Sequence, residues 1–285
     1  MKEATLVLEG GATRGVFTSG VLDYLMEQNL YLSHVIGVSA GSCNALNYVS
    51  KQKERTKKCT IHTEKKYNFH HGIRKFVKKK SLLDMDMIFE RYPKELFPFD
   101  YDTYFTSEMV CEIVATNCET GKAEYLTETQ DEDRLMKLSR ASSSMPLLAP
   151  IVNIDHVPYL DGGLADSLPL NRAVQLGNPK MVFVLTRNPG YRKQPISKGL
   201  ADLYRRSYKK YPKLVETLRR RSYCYNRTMD KIEELEEAGK IFVIRPQVKA
   251  ISKLEQNYDV LLDFYQHGYH LMEKQYQNLL HYLDN

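Results

Sequence analysis

Cysteine is scarce in this chain of 285 residues, and long apolar runs are missing altogether. The five cysteines are scattered and odd in number, without the paired spacing of a metal site or of a disulfide framework. We therefore expect reduced thiols in the cytoplasm and no bound metal ion. Because no run of about 18 apolar residues occurs, no membrane span is expected. Because the chain enters its first predicted strand at Thr5, we expect no signal peptide.

Short β-branched segments alternate with segments of helical period along the chain, and 42% of the residues are hydrophobic, enough for one large core. This alternation predicts an α/β fold, a three-layer sandwich whose mainly parallel sheet is covered by helices on both faces. We expect a core over residues 1–190 and a basic helical extension over residues 191–285, joined to the same sheet by a late strand. The predicted strands are 5–9, 35–38, 109–117, 122–126, 181–186 and 240–244, and the predicted helices are 15–28, 41–51, 131–142, 169–176 and 258–283.

The pentapeptide Gly37-Val38-Ser39-Ala40-Gly41 lies where a predicted strand meets a predicted helix. At such a junction a Gly-x-Ser-x-Gly motif is typical of a nucleophile elbow. Its serine takes a strained backbone conformation, and the flanking glycines let strand and helix pass closely. We therefore expect the Ser39 hydroxyl to lie above the sheet at a helix N-terminus, where amide groups favour negative charge.

A glycine-rich segment, Gly10-Gly11-Ala12-Thr13-Arg14-Gly15, joins the first predicted strand to the first helix. Its backbone N–H groups can point in one direction, which suits an anion or a developing oxyanion. Dinucleotide-binding folds have the same strand–loop–helix order, with an acidic residue about 20 residues further on. Here no Asp or Glu lies between Gln28 and Lys53, and Ala12 replaces one glycine of that fingerprint, which disfavours nucleotide binding.

Two more segments complete a pattern, Ala141-Ser142-Ser143-Ser144-Met145-Pro146 and Asp161-Gly162-Gly163. In this order the four segments resemble the motifs of the patatin-like phospholipases: Gly-Gly-Gly-x-Arg/Lys-Gly, Gly-x-Ser-x-Gly, Ala-Ser-Ser-x-x-Pro and Asp-Gly-Ala/Gly. The likeness spans about residues 5–185, and the chain is similar to the small bacterial members of that family.

This resemblance implies a serine hydrolase that cleaves acyl esters of lipids, as a phospholipase A or lysophospholipase does, without a metal or cofactor. It implies that Ser39 is the nucleophile and that Asp161 is the base of a Ser–Asp dyad. The residues implied for the oxyanion hole are Gly10, Gly11, Ala12, Thr13, Arg14 and Gly15, and the other motif glycines are Gly37, Gly41, Gly162 and Gly163. Ala12 departs from the family pattern, which has glycine there; alanine is tolerated at negative φ and strained at positive φ.

A histidine base has no well-placed candidate in the sequence. His34 lies in the strand before the elbow, and the other histidines fall in a basic loop (His62, His70, His71) or on the terminal helix (His267, His270, His281). His156, five residues before Asp161, is the remaining alternative to the aspartate, and its other interpretation is an ordinary loop histidine.

Positive charge is concentrated in two stretches of the chain, whose formal net charge is +6. Residues 51–80 contain twelve Lys or Arg against two acids, and residues 187–231 contain fourteen against three, with tyrosines interleaved in the second. Two interpretations stay open: a surface that holds the enzyme peripherally at anionic lipid, and a solvated helix face. No nucleic-acid-binding motif accompanies the charge, so we expect no nucleic-acid partner.

An aromatic-rich segment at 96–105, together with Met145, Leu147 and Leu148, can form either an acyl-chain pocket or ordinary core packing. The lipid esterase has two alternatives. One is a thioesterase or acyltransferase with the same dyad, and the other is a catalytically weak lipid-binding scaffold. A scaffold has no need of both Ser39 and Asp161, which counts against it.

Overall fold

A computed structural model describes residues 1–70 and 81–285 of the chain. Within these residues eight strands form a single sheet. The strands are β1 (Lys2–Leu8), β2 (Leu32–Val38), β3 (Val110–Asn117), β4 (Ala123–Leu126), β5 (Val152–Ile154), β6 (Val157–Asp161), β7 (Met181–Val184) and β8 (Phe242–Ile244).

The strand order is β5-β6-β3-β2-β1-β7-β8, and β4 pairs with β3 outside this path. The strands β3, β2, β1, β7 and β8 run parallel, whereas β4 and β6 run antiparallel to β3 and β5 forms a hairpin with β6. The carboxyl ends of the parallel strands therefore meet at one edge of the sheet, where ligand sites of α/β proteins form.

Nine α-helices connect these strands in the described residues. They are α1 (Gly15–Glu27), α2 (Ala40–Val49), α3 (Arg55–Thr60), α4 (Tyr101–Phe105), α5 (Glu132–Ser142), α6 (Leu170–Gln175), α7 (Lys198–Ser207), α8 (Pro212–Glu237) and α9 (Tyr258–Asp284). A π-helix spans Met87–Leu96. In the part of the chain that the structure describes, no helix combines the length and the apolar composition needed to cross a bilayer.

The central strand β1 shows how the layers are built. Leu6 and Leu8 face one side of the sheet and join a core with α1, α2, α5 and α9. Val7 faces the other side and joins a second core with α6 and α8. Side chains alternate across a strand, so this one strand contributes to both cores. The α/β fold with helices on both faces of a mainly parallel sheet is confirmed.

The helices α1 and α9 cross in close contact. A Cβ atom at Gly20 would collide with the carbonyl oxygen of Tyr265, and one at Gly268 would collide with that of Phe17. The two backbones can therefore approach this closely only because both positions lack a side chain. Helix α9 thus packs directly on the helix that follows the glycine loop.

Several elements differ from those that the sequence predicts. The hairpin β5–β6 is missing from the prediction because its strands are short and end in a segment that resembles a turn. The long helix α8 is also missing, because its charged residues mask the apolar stripe that it buries. The late strand is present as β8, which pairs in parallel with β7. The division of the chain at residue 190 stays a prediction.

Candidate active site

Ser39 is the single residue between the end of β2 and the start of α2. Its backbone has φ 54° and ψ −124°, a strained conformation for a residue with a side chain. A Cβ atom at Gly41 would collide with the carbonyl oxygen of Leu8, so the elbow needs glycine there to pass close to β1. The sharp turn predicted from the pentapeptide is present.

The sheet register brings Asp161 next to Ser39. Val38 pairs with Val114, so Ser39 follows at the level of Ala115, whose partner on the opposite side is Asp161. The two backbones lie about two strand spacings apart, roughly 10 Å, and the side chains close that gap above β3. The Ser39 hydroxyl donates a hydrogen bond of 2.7 Å to Oδ2 of Asp161.

The Asp161 carboxylate is buried, with 1% of the residue exposed, and its Oδ1 accepts a hydrogen bond of 2.8 Å from the Gly163 amide. Burial raises the pKa of Asp161 above its ordinary value, because the low-dielectric interior disfavours the charged form. The positive charges of Arg221 and Lys193 and the hydrogen bonds from Ser39 and Gly163 act in the opposite direction on this pKa. The result is a more basic carboxylate beside the serine.

The third motif, for which the sequence suggests no role, contacts both members of this pair. The Ser142 hydroxyl accepts a hydrogen bond of 2.8 Å from the Ser39 amide. The Ser144 carbonyl accepts one of 2.9 Å from the Asp161 amide. The end of α5 and the loop that follows it thus hold the backbones of both residues. The motif's small hydroxyl residues are the only sequence signal of this role.

The described histidines make no hydrogen bond to the dyad, although His70 lines the cavity over it. His156 is exposed in the turn of the β5–β6 hairpin, and a strand rise of about 3.3 Å per residue puts it roughly 16 Å along β6 from Asp161. His34 lies on β2, 3.4 Å from Glu112, and His267 accepts a hydrogen bond from the Gln247 amide. No histidine hydrogen-bonds to Ser39 or Asp161 within the described residues; His71 falls outside them.

The glycine loop lies directly against the nucleophile. A Cβ atom at Gly10 would be 2.8 Å from Cβ of Ser39. Within the described residues, the N–H groups of Gly11, Ala12 and Ala40 donate no hydrogen bond, and all three residues line the cavity over Ser39. These amides are free to bind a negative charge beside the serine, as an oxyanion hole requires.

Ala12 has φ 50°, in the left-handed region. Left-handed backbone costs about 1–2 kcal/mol for a residue with a Cβ atom. The chain therefore carries backbone strain at the position where the family pattern has glycine. The loop is tied down at its neighbour, because the Thr13 amide and hydroxyl donate hydrogen bonds to the carbonyls of Lys253 and Ser252.

A cavity of about 450 Å³ opens over Ser39 and Asp161. Part of its lining packs together as a hydrophobic cluster, which we call the apolar wall: Cys43, Leu83, Met85, Ile88, Phe89 and Ala149. Of the aromatic segment at 96–105, Phe99 lines the cavity, and so do Met145 and Leu148. Tyr101, Tyr104 and Phe105 pack with the core instead. Four of the six residues of the apolar wall lie within 83–89, at and just before the start of the π-helix, a segment that the sequence analysis did not single out.

Six cations line the same cavity. We call five of them, all except Arg55, the cationic cluster: Arg14, Arg187, Lys193, Arg221 and Lys253. Arg221 donates a hydrogen bond of 2.6 Å to the Gly163 carbonyl, so it faces the active site. The charge count over residues 187–231 does not distinguish it from its neighbours Arg219 and Arg220, which are exposed on α8, whereas Arg221 lines the cavity. Within residues 1–70 and 81–285, no three His, Cys, Asp or Glu side chains converge as a metal site requires.

Comparison with known proteins gives two family matches. The model described as patatin-like phospholipase matches residues 6–174, and a domain of unknown function (DUF6363) matches residues 211–284. A curated relative is the uncharacterized protein YjjU of Escherichia coli (strain K12), 29% identical over 198 residues, which are 64% of this chain and 51% of YjjU. The chain thus spans about half the length of this relative. The crystal structure of VipD from Legionella pneumophila is similar over 100% of this chain and 67% of that chain, with a TM-score of 0.47 and 13% identity.

Proposed function

The chain belongs to the patatin-like phospholipase family, and from this membership we propose that it hydrolyses acyl esters of lipids through Ser39 and Asp161. The observation that carries the proposal is the 2.7 Å hydrogen bond from the Ser39 hydroxyl to a buried carboxylate. A serine hydroxyl is a weak nucleophile until a base accepts its proton, and Asp161 is the group in contact with it.

In the proposed reaction, Ser39 Oγ attacks the ester carbonyl carbon while its proton passes to Asp161 Oδ2. The negative charge that develops on the carbonyl oxygen is held by the free amides of Gly11, Ala12 and Ala40. Collapse of this intermediate breaks the bond to the alcohol, which leaves with the proton from Asp161. Water then attacks the acyl carbon while Asp161 accepts a proton from the water. The bond from this carbon to Ser39 Oγ breaks, the carboxylic acid leaves, and Asp161 returns the proton to Ser39.

The cavity supports a lipid as the source of the acyl group. Its apolar wall offers contacts to a hydrocarbon chain, each buried methylene of which contributes about 0.8 kcal/mol. Phe89 and Met85 are among the buried residues of this wall. An acyl chain lying along them leaves its ester carbonyl beside Ser39, which also lines the cavity.

The experiment that tests this function is reaction with a fluorophosphonate probe, followed by mapping of the labelled residue. We expect labelling of Ser39 in the wild type and none in Ser39→Ala. Ester hydrolysis should fall by about 10⁴-fold or more in that variant, because members of a catalytic unit fail together. The matched control is Ser143→Ala, since Ser143 also lines the cavity. Labelling of another serine, or full activity in Ser39→Ala, contradicts the proposal; labelling without turnover favours a lipid-binding scaffold.

We further propose that exposed cations on α8, Arg219 and Arg220, help to hold the enzyme peripherally at anionic membranes. Each such charge near an anionic leaflet contributes about 1 kcal/mol to membrane binding, and salt weakens this attraction.

Sedimentation should show binding to phosphatidylglycerol vesicles at low salt and loss of binding at roughly half-molar salt. The double variant Arg219→Glu, Arg220→Glu should bind less than Lys137→Glu, an exposed charge reversal on α5. Equal binding to neutral phosphatidylcholine vesicles contradicts the proposal. Residues 71–80 of the other basic stretch lie outside the described residues.

A further inference from the structure

The cationic cluster has no acidic partners. Within the described residues, none of its five side chains lies within 4.0 Å of a carboxylate. Arginines elsewhere behave differently, because each of the following contacts a carboxylate: Arg134, Arg140, Arg172, Arg192 and Arg245. Among the buried and partly buried arginines of the described residues, only those that line the cavity, Arg55 included, lack a carboxylate partner.

Arg14 is the most enclosed member of the cluster. It is 7% exposed, it lines the cavity, and its Nε atom is buried without a hydrogen-bond partner. A buried donor left unpaired costs about 1–3 kcal/mol. The arrangement is costly without a ligand, and an anion in the cavity would provide the missing acceptor.

The two acidic residues that line the cavity, Glu9 and Asp161, already accept hydrogen bonds from other groups. The Glu9 carboxylate accepts hydrogen bonds from the Thr186 amide and the Tyr225 hydroxyl, and Asp161 is engaged with Ser39 and Gly163. These carboxylates therefore leave the cluster with a net positive charge that faces the cavity.

The like charges also act on one another. Burial, and then the charge of Arg221, lower the pKa of Lys193 well below its ordinary value. Burial and the charges of Arg221, Arg14 and Arg187 lower the pKa of Lys253 in the same way. Perturbed groups in a cleft indicate a functional site when they also share a geometry, and here they line one cavity.

We propose that Lys193, Arg221 and Lys253, with Arg14 and Arg187 beside them, form a subsite for the phosphate of a phosphomonoester lipid, such as a lysophosphatidate. This inference rests on the proposed esterase function and names the substrate class of the same site. In a glycerophospholipid only a few glycerol bonds separate the ester carbonyl from the phosphorus, so the phosphate lies near the dyad when the carbonyl reaches Ser39. A phosphomonoester carries a charge of about −1.5 to −2 at pH 7, which matches several cations that have only neutral partners better than a diester does.

The substrate pair for the test is 1-octanoyl lysophosphatidate and 1-octanoyl glycerol, which differ only in the phosphate. We expect the wild type to have the higher kcat/KM on the lysophosphatidate. The ratio of the two kcat/KM values should fall about tenfold or more in Lys193→Met and in Lys253→Gln, because a hydrogen bond to a charged group is worth a factor of about 10 to 100. The matched control is Lys240→Met, an exposed lysine that does not line the cavity, which should leave the ratio unchanged.

Inorganic phosphate separates a lipid headgroup from free phosphate as the ligand. For a headgroup subsite, phosphate raises the KM of the lysophosphatidate without changing kcat and leaves octanoyl glycerol turnover unchanged. If phosphate instead alters octanoyl glycerol turnover and the wild type has no preference between the esters, free phosphate is the ligand and the proposal is wrong. An equal loss on both esters in Lys193→Met and Lys253→Gln also overturns it, since that pattern indicates a structural role.

A binding measurement keeps this proposal separate from the esterase function. Calorimetric titration of Ser39→Ala with octanoyl lysophosphatidate should show binding that weakens about tenfold when Lys193→Met is added. If the wild type cleaves neither ester but this binding is present, the esterase proposal fails and the phosphate subsite stands. If the lysophosphatidate does not bind, or if octanoyl glycerol binds equally well, the subsite proposal fails whatever the turnover.

Discussion

The apolar wall and the cationic cluster line the same cavity but come from different parts of the chain. The apolar wall lies wholly within residues 6–174, which the patatin-like phospholipase model matches. Four of the five cations lie beyond that match, and Arg221 and Lys253 fall within the segment 211–284 matched by the domain of unknown function. On our two proposals, the segment matched by the family model supplies the dyad and the acyl contacts, while residues mostly beyond it bind the phosphate end of the substrate.

Arg55 is the exception among the cations of the cavity. Its guanidinium donates hydrogen bonds to the Phe97 carbonyl and to Oδ1 of Asn47, and it packs over the Phe99 ring. Unlike Arg14, it has neutral partners that use its donors. The two arginines carry the same charge, but the donors of Arg55 have hydrogen-bond partners and Nε of Arg14 has none. Arg14 is therefore the one to which an anion would add a missing acceptor.

The largest expected effect comes from removing the proposed base, which the apolar wall and the cationic cluster both flank in the cavity. Asp161→Asn keeps the shape of the side chain but removes the negative charge that accepts the proton of Ser39. We expect ester hydrolysis to fall by about 10⁴-fold. His156→Ala is the matched control and should retain most activity, because His156 is exposed in a distant turn. Comparable losses in the two variants, measured with a soluble octanoyl ester, would show that a histidine is the base.

The next effect concerns the glycine loop, which lines the same cavity as the apolar wall and the cationic cluster. Gly11→Pro deletes one free N–H group, and loss of an oxyanion donor reduces turnover about 100- to 1,000-fold. Gly11→Ala keeps the amide and controls for the Cβ atom, which meets the Thr186 hydroxyl at 2.8 Å in either variant; proline additionally moves φ from −178° to about −65°. The quantity to measure is kcat in the two variants, with thermal unfolding to confirm that both are folded. Similar kcat values would mean that the oxyanion is bound elsewhere.

A smaller effect tests the apolar wall alone. Ala149→Leu adds bulk to this wall, so it should reduce kcat/KM for long acyl chains about tenfold relative to short ones. The cationic cluster is untouched, and the preference for a phosphomonoester should therefore persist. Ala238→Leu, at the exposed end of α8, is the matched control. An unchanged dependence of kcat/KM on chain length would mean that these residues serve ordinary core packing and do not bind the acyl chain.

The smallest effect links the cationic cluster to the dyad through pH. Asp161 must be ionised to accept a proton, so activity falls as the pH drops through its pKa. The Arg221 charge lowers that pKa, against the larger effect of burial, with Lys193 and the hydrogen bonds from Ser39 and Gly163 acting in the same direction as Arg221. Arg221→Gln should therefore move the acid limb of kcat/KM to higher pH for an uncharged ester, whereas Arg219→Gln should not move it. An unmoved limb in Arg221→Gln would exclude this coupling.

The pairing of Ser39 with Asp161 is implied by the sequence through the resemblance of its four ordered motifs, whereas strand β6, which carries Asp161, is missing from the predicted elements. The inward turn of Arg221 is not predictable, because three consecutive arginines on a helix point in directions about 100° apart and only tertiary packing decides which one is enclosed. The role of Ser142 is hidden for a similar reason. Its contact with the Ser39 amide spans 103 positions of the chain and depends on how α5 packs on the sheet.

The close crossing of α1 and α9 has a consequence for how the chain folds during synthesis. Gly20 contacts Tyr265 in the folded chain, so helix α1 can make this contact only after nearly all of this sequence has been translated. At about 5–20 residues per second, that interval is roughly 12 to 50 seconds. During it the apolar face of α1, which ends up against α9, has no lasting cover, and the nascent chain depends on chaperones or on transient packing to stay out of aggregates.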